Sequence, residues 1–271
     1  MSKIYFGPAG SGGSELKNFE AIKKAGCDSV EIEFVYSIWM SREQAEKIRE
    51  LNKKLNLKLS IHAPYYINLN SEDKTKIGAS RTRILKCLEI ADILANKEKQ
   101  ERIPVVFHAG FYLKKTKEEC YKQIKEQISK IIQEAEQKGY KNAVVSPETT
   151  GKPSKFGDLD ELLKLIKETK CSICIDFAHL KARYNGKINY DEIMNKIKNI
   201  NLKDKEVLHA HFSGINYGEK GEKNHILTGE KAIKEFLHYL KKYNISINII
   251  NESPDPLRDA SKMKKIFGEM K

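Results

Sequence analysis

The sequence lacks any long apolar run, and its first residues lack a secretion signal. No stretch approaches the roughly 20 consecutive apolar residues that a membrane-spanning helix requires. Residues 1–13 also lack the cationic region followed by an apolar region that is typical of a signal peptide. We therefore expect an intracellular, cytoplasmic protein with no membrane partner.

Cysteine is scarce, and its distribution is not that of a disulfide framework. The five cysteines are an odd number and are scattered along the chain, which argues against a set of structural disulfides. Cys171 and Cys174 have C-x-x-C spacing, but no second pair accompanies them and they open an apolar segment. We interpret this pair as part of the core rather than as a zinc knuckle.

Nucleotide-binding glycine motifs, linkers and internal repeats are absent as well. The segment Gly7–Gly13 is rich in glycine but does not have the G-x-G-x-x-G arrangement of a dinucleotide-binding turn. Because the chain has no proline-rich linker and no low-complexity tract, we predict that its 271 residues form a single domain.

The chain does contain an alternation of short β-branched runs with longer amphipathic segments. Residues 121–135 carry apolar side chains at helical spacing, and Ser41 with Gln44 and Thr116 with Glu119 match capping boxes. The eight β-branched runs are Lys3–Gly7, Ser29–Val35, Lys58–His62, Pro104–His108, Ala143–Glu148, Ser172–Phe177, Val207–Phe212 and Ser246–Glu252. Eight strands that alternate with helices predict an α/β fold, the (β/α)₈ TIM barrel, with a doubly wound open sheet as the alternative.

Polar side chains end six consecutive predicted strands. They are His62, His108, Glu148, Asp176, His211 and Glu252. Catalytic groups of a barrel lie at the carboxyl ends of its strands, so we expect these side chains to converge. Buried carboxylates and imidazoles in one place require a cation to neutralise them. Histidine with carboxylate is the ligand set of zinc, manganese or iron, and the absence of cysteine favours a catalytic metal.

Two further features favour a cluster of metals over a single ion. Asp176 and His179 lie three positions apart, which lets them reach different metals, and Glu148 on a middle strand can bridge two ions. His225 lies in a polar loop after the seventh strand, on the face where the metals are expected. A cluster of this size suits phosphoryl transfer, with Glu148 as the central catalytic residue.

The charge balance favours an anionic partner. The formal net charge is +12 and the isoelectric point about 9.2, and nucleic acid is the usual partner of so basic a protein. Lysines on predicted helix faces, as in residues 114–125, equally fit an ordinary solvated surface. The charge by itself leaves both interpretations open.

Taken together, these residues resemble the endonuclease IV family of apurinic/apyrimidinic endonucleases. The similarity runs from His62 to Glu252 in the family's order, and its most specific motifs are His62-Ala-Pro-Tyr-Tyr-Ile-Asn-Leu, Asp176-x-x-His179 and Glu252-Ser-Pro-Asp. The resemblance implies a barrel enzyme that cleaves double-stranded DNA 5′ to abasic sites in base excision repair and also clears 3′-blocked ends. We expect a monomer.

The resemblance also implies a site for up to three zinc ions, with manganese as the alternative metal. Tyr65 lies where the family has an aromatic residue that helps to hold distorted DNA. The ligands carried over by position are His62 and His108 for the first ion, Asp176, His211 and Glu252 for the second, Glu148 between these two, and His179 and His225 for the third.

The sequence departs from the family's pattern at the third ion. The family has Asp-Arg-His where this chain has Lys223-Asn224-His225, and a lysine ammonium cannot coordinate a metal. Glu222 is the nearest carboxylate, but in an extended segment residues 222 and 225 would point to opposite faces. We therefore expect the loop to turn between Glu222 and His225. An arginine expected to contact DNA after the second strand is also absent from residues 34–39.

Two other functions remain open at the level of the sequence. A sugar isomerase or epimerase on the same barrel needs one metal, which Glu148, Asp176, His211 and Glu252 could hold alone. A non-catalytic nucleic-acid-binding protein would explain the basic charge but not the acidic and imidazole groups. Metal content separates the three: near three ions per chain for the nuclease, one for the isomerase and none for the binding protein.

Overall fold

The computed structural model describes residues 2–13, 15–99, 102–198, 200 and 207–270. No helix within these ranges is long and apolar enough to cross a membrane. The main elements in chain order are β1 (Ile4–Pro8), α1 (Leu16–Lys24), β2 (Ser29–Glu33), α2 (Arg42–Leu55), β3 (Lys58–His62), α3 (Lys74–Leu94), β4 (Ile103–Phe107), α4 (Lys117–Gln137), β5 (Ala143–Pro147), α5 (Leu159–Glu168), β6 (Cys174–Asp176), α6 (Phe177–Arg183), α7 (Tyr190–Ile197), β7 (Leu208–His211), β8 (Gly214–Gly218), β9 (Gly221–Ile226), α8 (Glu230–Tyr243), β10 (Ile247–Asn251) and α9 (Pro256–Glu269).

Eight of the strands form a closed parallel barrel. Two four-stranded sheets, in the orders β1-β10-β7-β6 and β2-β3-β4-β5, meet at two seams. Bridges between Ala9 and Glu31 join β1 to β2, and bridges between Glu148 and Cys174 join β5 to β6. The Gly10 amide donates to the Glu31 carbonyl oxygen at 3.0 Å across the first seam. The predicted (β/α)₈ fold is therefore confirmed, and the eight predicted strand runs agree with the barrel strands to within two residues at each end.

Local signals in the sequence account for the helices. Capping boxes open α2 at Ser41 with Gln44 and α4 at Thr116 with Glu119, as predicted. The face of α4 that carries apolar residues at helical spacing is buried against the barrel. Because parallel strands are covered by helices on the outside and by side chains within, the strand residues are almost all buried.

The polar segment after β7 is a hairpin, and the prediction of a loop there is wrong. Strands β8 and β9 pair in antiparallel fashion. Polar and charged residues are frequent in the segment because little of it is buried; Ile215 and the partly buried Tyr217 pack against Ala178 and Ala182 of α6. A strand with so little buried surface has little of the alternating pattern by which strands are recognised. The single-domain organisation stays a prediction.

The two cysteines with C-x-x-C spacing lie inside the protein. Cys171 precedes β6 and Cys174 begins it, and both side chains are buried. The five cysteines are free thiols, so no disulfide supports the barrel. This agrees with the interpretation of the pair as part of the core.

We expect Gly7→Ala to destabilise the barrel, because a Cβ atom there would lie 2.0 Å from the Ser29 carbonyl oxygen across the β1/β2 seam. Overpacking of this kind costs about 1–3 kcal/mol. Gly78→Ala in α3 is the control: a Cβ there meets nothing within 4 Å, and helix propensity predicts a gain of about 0.5–1 kcal/mol. Urea unfolding of both variants measures the difference, and similar midpoints would contradict the close approach at the seam.

Candidate metal centre

The strand order brings the predicted polar residues to one rim. His62, Asp176 and His211 are the last residues of β3, β6 and β7, while His108, Glu148 and Glu252 follow β4, β5 and β10 by one position. Because all eight strands run in parallel, their carboxyl ends surround a common axis. The side chains that the sequence spreads over 190 positions therefore lie in mutual contact.

Glu148 is the centre of this arrangement. Its side chain is buried, and four imidazoles surround its two oxygens. Oε2 lies 3.2 Å from His62 Nε2 and 3.0 Å from His108 Nε2. Oε1 lies 3.1 Å from His179 Nδ1 and 3.2 Å from His211 Nδ1. One oxygen thus faces the pair from β3 and β4, and the other faces the residues from β6 and β7, which is the geometry that a bridging carboxylate needs.

A second group of donors surrounds His211. Its Nδ1 lies 3.2 Å from Glu252 Oε1 and 4.0 Å from Asp176 Oδ2. Together with Glu148, these residues offer four ligand atoms that all lie within 4.8 Å of one another. His62, His108 and Glu148 form another such group. The two groups share Glu148 and match the first two ligand sets expected from the sequence.

Asp176 has two functions because α6 begins directly after β6. One carboxylate oxygen caps the helix by accepting from the His179 amide at 2.7 Å. The other, Oδ2, lies 3.2 Å from His179 Nδ1 on the inner side. Asp176, His179 and His225 form a third group of donor atoms within 4.8 Å of one another. Sequence reasoning placed Asp176 at the second ion only, and the structure also brings it to the third group.

The hairpin brings Glu222 and His225 to the same side without a turn. The pairing passes from Tyr217 opposite Glu222 to Asn216 opposite Asn224, so Lys223 is an extra residue, a β-bulge. A bulge of one residue shifts the alternation of side chains along a strand. Both carboxylate and imidazole therefore line the cleft, and the expected turn between residues 222 and 225 is replaced by this bulge.

The hairpin lies tightly against the loop after β5. The Glu222 amide donates to the Gly151 carbonyl oxygen at 3.1 Å. A Cβ atom at Gly221 would lie 2.2 Å from that same oxygen. Gly221 also has φ of +88°, a conformation that glycine adopts without strain. Both requirements fix the position of Glu222, whose Oε2 lies 3.7 Å from His179 Nε2.

Several buried side-chain nitrogen and oxygen atoms in these groups lack a hydrogen-bond partner, and such atoms are available to bind a metal ion. Among the described residues, His108 Nε2, Asp176 Oδ2 and Glu222 Oε2 are buried without a hydrogen bond of suitable geometry. An unpaired buried polar atom costs about 1–3 kcal/mol. A divalent cation between such atoms would satisfy them, and imidazole with carboxylate is a ligand set for zinc or manganese.

The electrostatics of the cluster show how strongly its carboxylates attract cations. Burial opposes a charge on His62, yet the hydrogen bond and charge of Glu148 raise the His62 pKa to about 9. Burial likewise opposes a charge on His179, but Asp176 and Glu148 raise its pKa to about 10. Burial opposes the charge on Glu252 too, but the charge of His211 lowers the Glu252 pKa to about 2. Glu148 and Asp176 thus favour protons on His62 and His179, in places where the carboxylates would hold metal ions, whereas burial lowers the pKa of His108.

Sequence reasoning missed three polar residues beside the cluster. Glu31 and His209 are buried and Glu33 is half-buried; the two glutamates lie on β2, and His209 lies on β7 two residues before His211. Burial and the charge of Glu252 raise the pKa of Glu33 to about 7. The alternation Glu31-Ile-Glu33 in an otherwise apolar strand was the available signal. A charged residue on the inner face of a strand needs a buried partner.

A cleft of about 330 Å³ opens onto the donors from solvent. Tyr65, Phe111 and Lys155 line it together with the histidines and Glu222. Tyr65 is 58% exposed, and its ring centroid lies 6.0 Å from that of His62. Lys155 Nζ lies 5.8 Å from the centre of the Phe111 ring. The cleft therefore combines aromatic surface and a positive charge at the mouth with metal-binding groups at the base.

Two relatives of known sequence are similar to this chain. The chain is 37% identical over 277 residues to an uncharacterised protein of Methanocaldococcus jannaschii, across 98% of both chains. It is 33% identical over 165 residues to a probable endonuclease 4 of Aster yellows witches'-broom phytoplasma. That match covers 58% of this chain and spans about half, 53%, of the relative.

Solved structures share the fold at lower identity. A D-tagatose 3-epimerase-like protein superposes with a TM-score of 0.74 at 22% identity, over 98% of this chain and 96% of the other. Endonuclease IV from Thermus thermophilus superposes with a TM-score of 0.70 at 21% identity, over 98% of both chains. The family model described as "Xylose isomerase-like TIM barrel" matches residues 19–267. The chain belongs to this xylose isomerase-like TIM-barrel family.

Proposed function

We propose that the protein is a metal-dependent endonuclease that cleaves the DNA backbone 5′ to abasic sites and also clears 3′-blocked ends. The observation that carries the proposal is the presence of three overlapping donor groups on one rim. Endonuclease 4 proteins among the relatives, and endonuclease IV among the structures, support the assignment. We expect the enzyme to act as a monomer in the cytoplasm, on double-stranded DNA.

The proposed ligands follow the three donor groups. Divalent metals at such a site activate water and neutralise the charge on a scissile phosphate and its leaving oxygen. We propose zinc, with manganese as the alternative. The ligands would be His62, His108 and Glu148 for the first ion, Glu148, Asp176, His211 and Glu252 for the second, and Asp176, His179 and His225 with Glu222 beside them for the third.

The remaining residues of the cleft would position the substrate. Lys155 places a positive charge at the mouth, where a phosphate of the DNA backbone would enter. Tyr65 offers an exposed aromatic face next to His62. An abasic sugar has no base to stack, so an aromatic ring can occupy the gap left in the duplex. The net charge of +12 supports binding to the backbone in general.

A sugar epimerase is the second candidate, because the group of Glu148, Asp176, His211 and Glu252 is sufficient for a single metal. The epimerase-like structure of similar fold supports it. It leaves the other two donor groups without a function, and this is why we favour the nuclease. Metal content discriminates the two functions, with one ion per chain expected for the epimerase.

We expect the zinc- or manganese-loaded protein to nick a duplex that contains one abasic site and to leave intact duplex uncut. Removal of metal with a chelator should abolish nicking, and added metal should restore it. Gel analysis of an end-labelled duplex gives the cut position, and a 3′-blocked duplex tests the second activity. Glu148→Gln, which removes the shared charge, should slow cleavage roughly a thousandfold or more. Fully loaded protein that cuts none of these substrates would refute the nuclease assignment.

Glu222→Gln should lower the metal content by up to one ion per chain, because it removes the negative charge beside His179. Loss of a group of this kind weakens metal binding by about tenfold or more. Lys223→Ala is the matched control, since this residue is the exposed bulge next to it. Elemental analysis after gel filtration measures the content. If both variants retain the ions of the unmodified protein, Glu222 has no part in the third group.

Tyr65→Ala should weaken binding to abasic duplex by about 1–3 kcal/mol, the loss expected for one stacked ring. Binding to intact duplex should change less, because paired bases leave no gap to fill. Tyr65→Phe keeps the ring and should bind almost as the unmodified protein does. Fluorescence anisotropy with both duplexes measures the effect. An equal loss on both duplexes would show that Tyr65 does not recognise the lesion.

A further inference from the structure

Below the donor groups, the barrel interior contains a carboxylate that faces two histidines. Glu31 is fully buried on β2. Its Oε1 lies 2.9 Å from His211 Nε2, and its Oε2 lies 2.9 Å from His209 Nε2. A buried carboxylate with no cation beside it would be strongly unfavourable. Among the described residues, the side chains within 4 Å of Glu31 that can carry a positive charge are His209 and His211 of β7.

Glu31 and His211 face each other inside the barrel. His211 Nε2 and Glu31 Oε1 are both buried, and neither makes a hydrogen bond of ordinary geometry with the described residues. The two atoms lie 2.9 Å apart. His209 holds the other oxygen of Glu31 and is itself in contact with the Asn248 amide, at 3.2 Å from Nδ1. The carboxylate is thus fixed on the side away from His211.

The two nitrogens of His211 face carboxylates on opposite sides of the ring. Nδ1 faces Glu148 and Glu252, each at 3.2 Å, in the second donor group. Nε2 faces Glu31 on the other side of the ring. A neutral imidazole carries one N–H. With a metal ion in the second donor group, Glu148 and Glu252 would bind the cation and Glu31 would accept the proton on Nε2, so Nδ1 would offer its lone pair to the metal.

We propose that Glu31 is a positioning residue for the metal centre, which holds His211 with its proton on Nε2 and its Nδ1 free to bind metal. His209 and Asn248 hold Glu31 in turn. The inference rests on the metal centre in the proposed function and does not depend on DNA as the substrate. If the protein fails to cut DNA, the proposed role of Glu31 is therefore not contradicted.

The competing outcome is a metal ion held deeper in the barrel, by a group that includes His209 and His211. Cys174, His209 and His211 also offer donor atoms within 4.8 Å of one another. An ion held there would occupy the space in which Glu31 pairs with the histidines. Cys174→Ala distinguishes the two, because Cys174 belongs only to the inner group and Glu31 positions His211 without it.

The test compares Glu31→Gln with Cys174→Ala as the control. Affinity for zinc is measured by competition with a chromophoric chelator, and the geometry of the second group by the visible spectrum of the cobalt-substituted protein. We expect Glu31→Gln to weaken one zinc site by about 10–100-fold and to change the cobalt spectrum. Cys174→Ala should leave both unchanged. Unaltered affinity and spectrum in folded Glu31→Gln, or loss of an ion in Cys174→Ala, would overturn the proposal.

A measurement on the unmodified protein covers the case in which Glu31→Gln does not fold. Histidine labelled with ¹⁵N reports which ring nitrogen carries hydrogen in the zinc-loaded protein. We expect His211 to carry its proton on Nε2, with a nitrogen shift at Nδ1 typical of metal binding. A His211 ring with Nε2 unprotonated would overturn the proposal.

Discussion

The site depends on two buried carboxylates that lie at the two seams of the barrel. Glu31 bridges β1 and β2, and Glu148 bridges β5 and β6. His211 lies between them, with Nε2 at 2.9 Å from Glu31 and Nδ1 at 3.2 Å from Glu148. The same contacts that close the barrel therefore set the separation of the two negative charges. Any change in barrel geometry would alter the spaces in which metal ions are expected.

The third donor group is built differently, because only Asp176 comes from the end of a barrel strand, while His179 lies on α6 and His225 on the hairpin of β8 and β9. The hairpin is seated on the loop after β5 through Gly151 and Gly221. That loop is held in turn by Arg183, whose guanidinium donates to the carbonyl oxygens of Thr150, Lys152 and Lys155. Arg183 is buried and belongs to α6, the helix that Asp176 caps. The same helix therefore supports the loop on which the hairpin rests.

The difference between the donor groups at strand ends and the third donor group bears on the choice of function. The group around Glu148, Asp176, His211 and Glu252 uses strand ends alone, which the whole fold provides. His62 and His108 add a neighbouring group on β3 and β4, while His179 and His225 depend on a helix start and a hairpin. A single-metal enzyme would need only the first group. The additional groups are the reason we propose chemistry at a phosphate, where several charges must be balanced at once.

The sequence by itself determined the barrel, the strand ends and the positions of six polar residues at the rim, because strand periodicity is a local property and all strands of a parallel barrel end at the same rim. His62 or Glu252 can be placed at the rim without knowledge of any contact. The tertiary structure decided the rest. The bulge at Lys223 depends on pairing with β8, and the pairing of Glu31 with His209 and His211 crosses the barrel between strands distant in sequence. The alternation in β2 can mark Glu31 as an inward-facing residue, but the partners that it meets are decided only when the strands close.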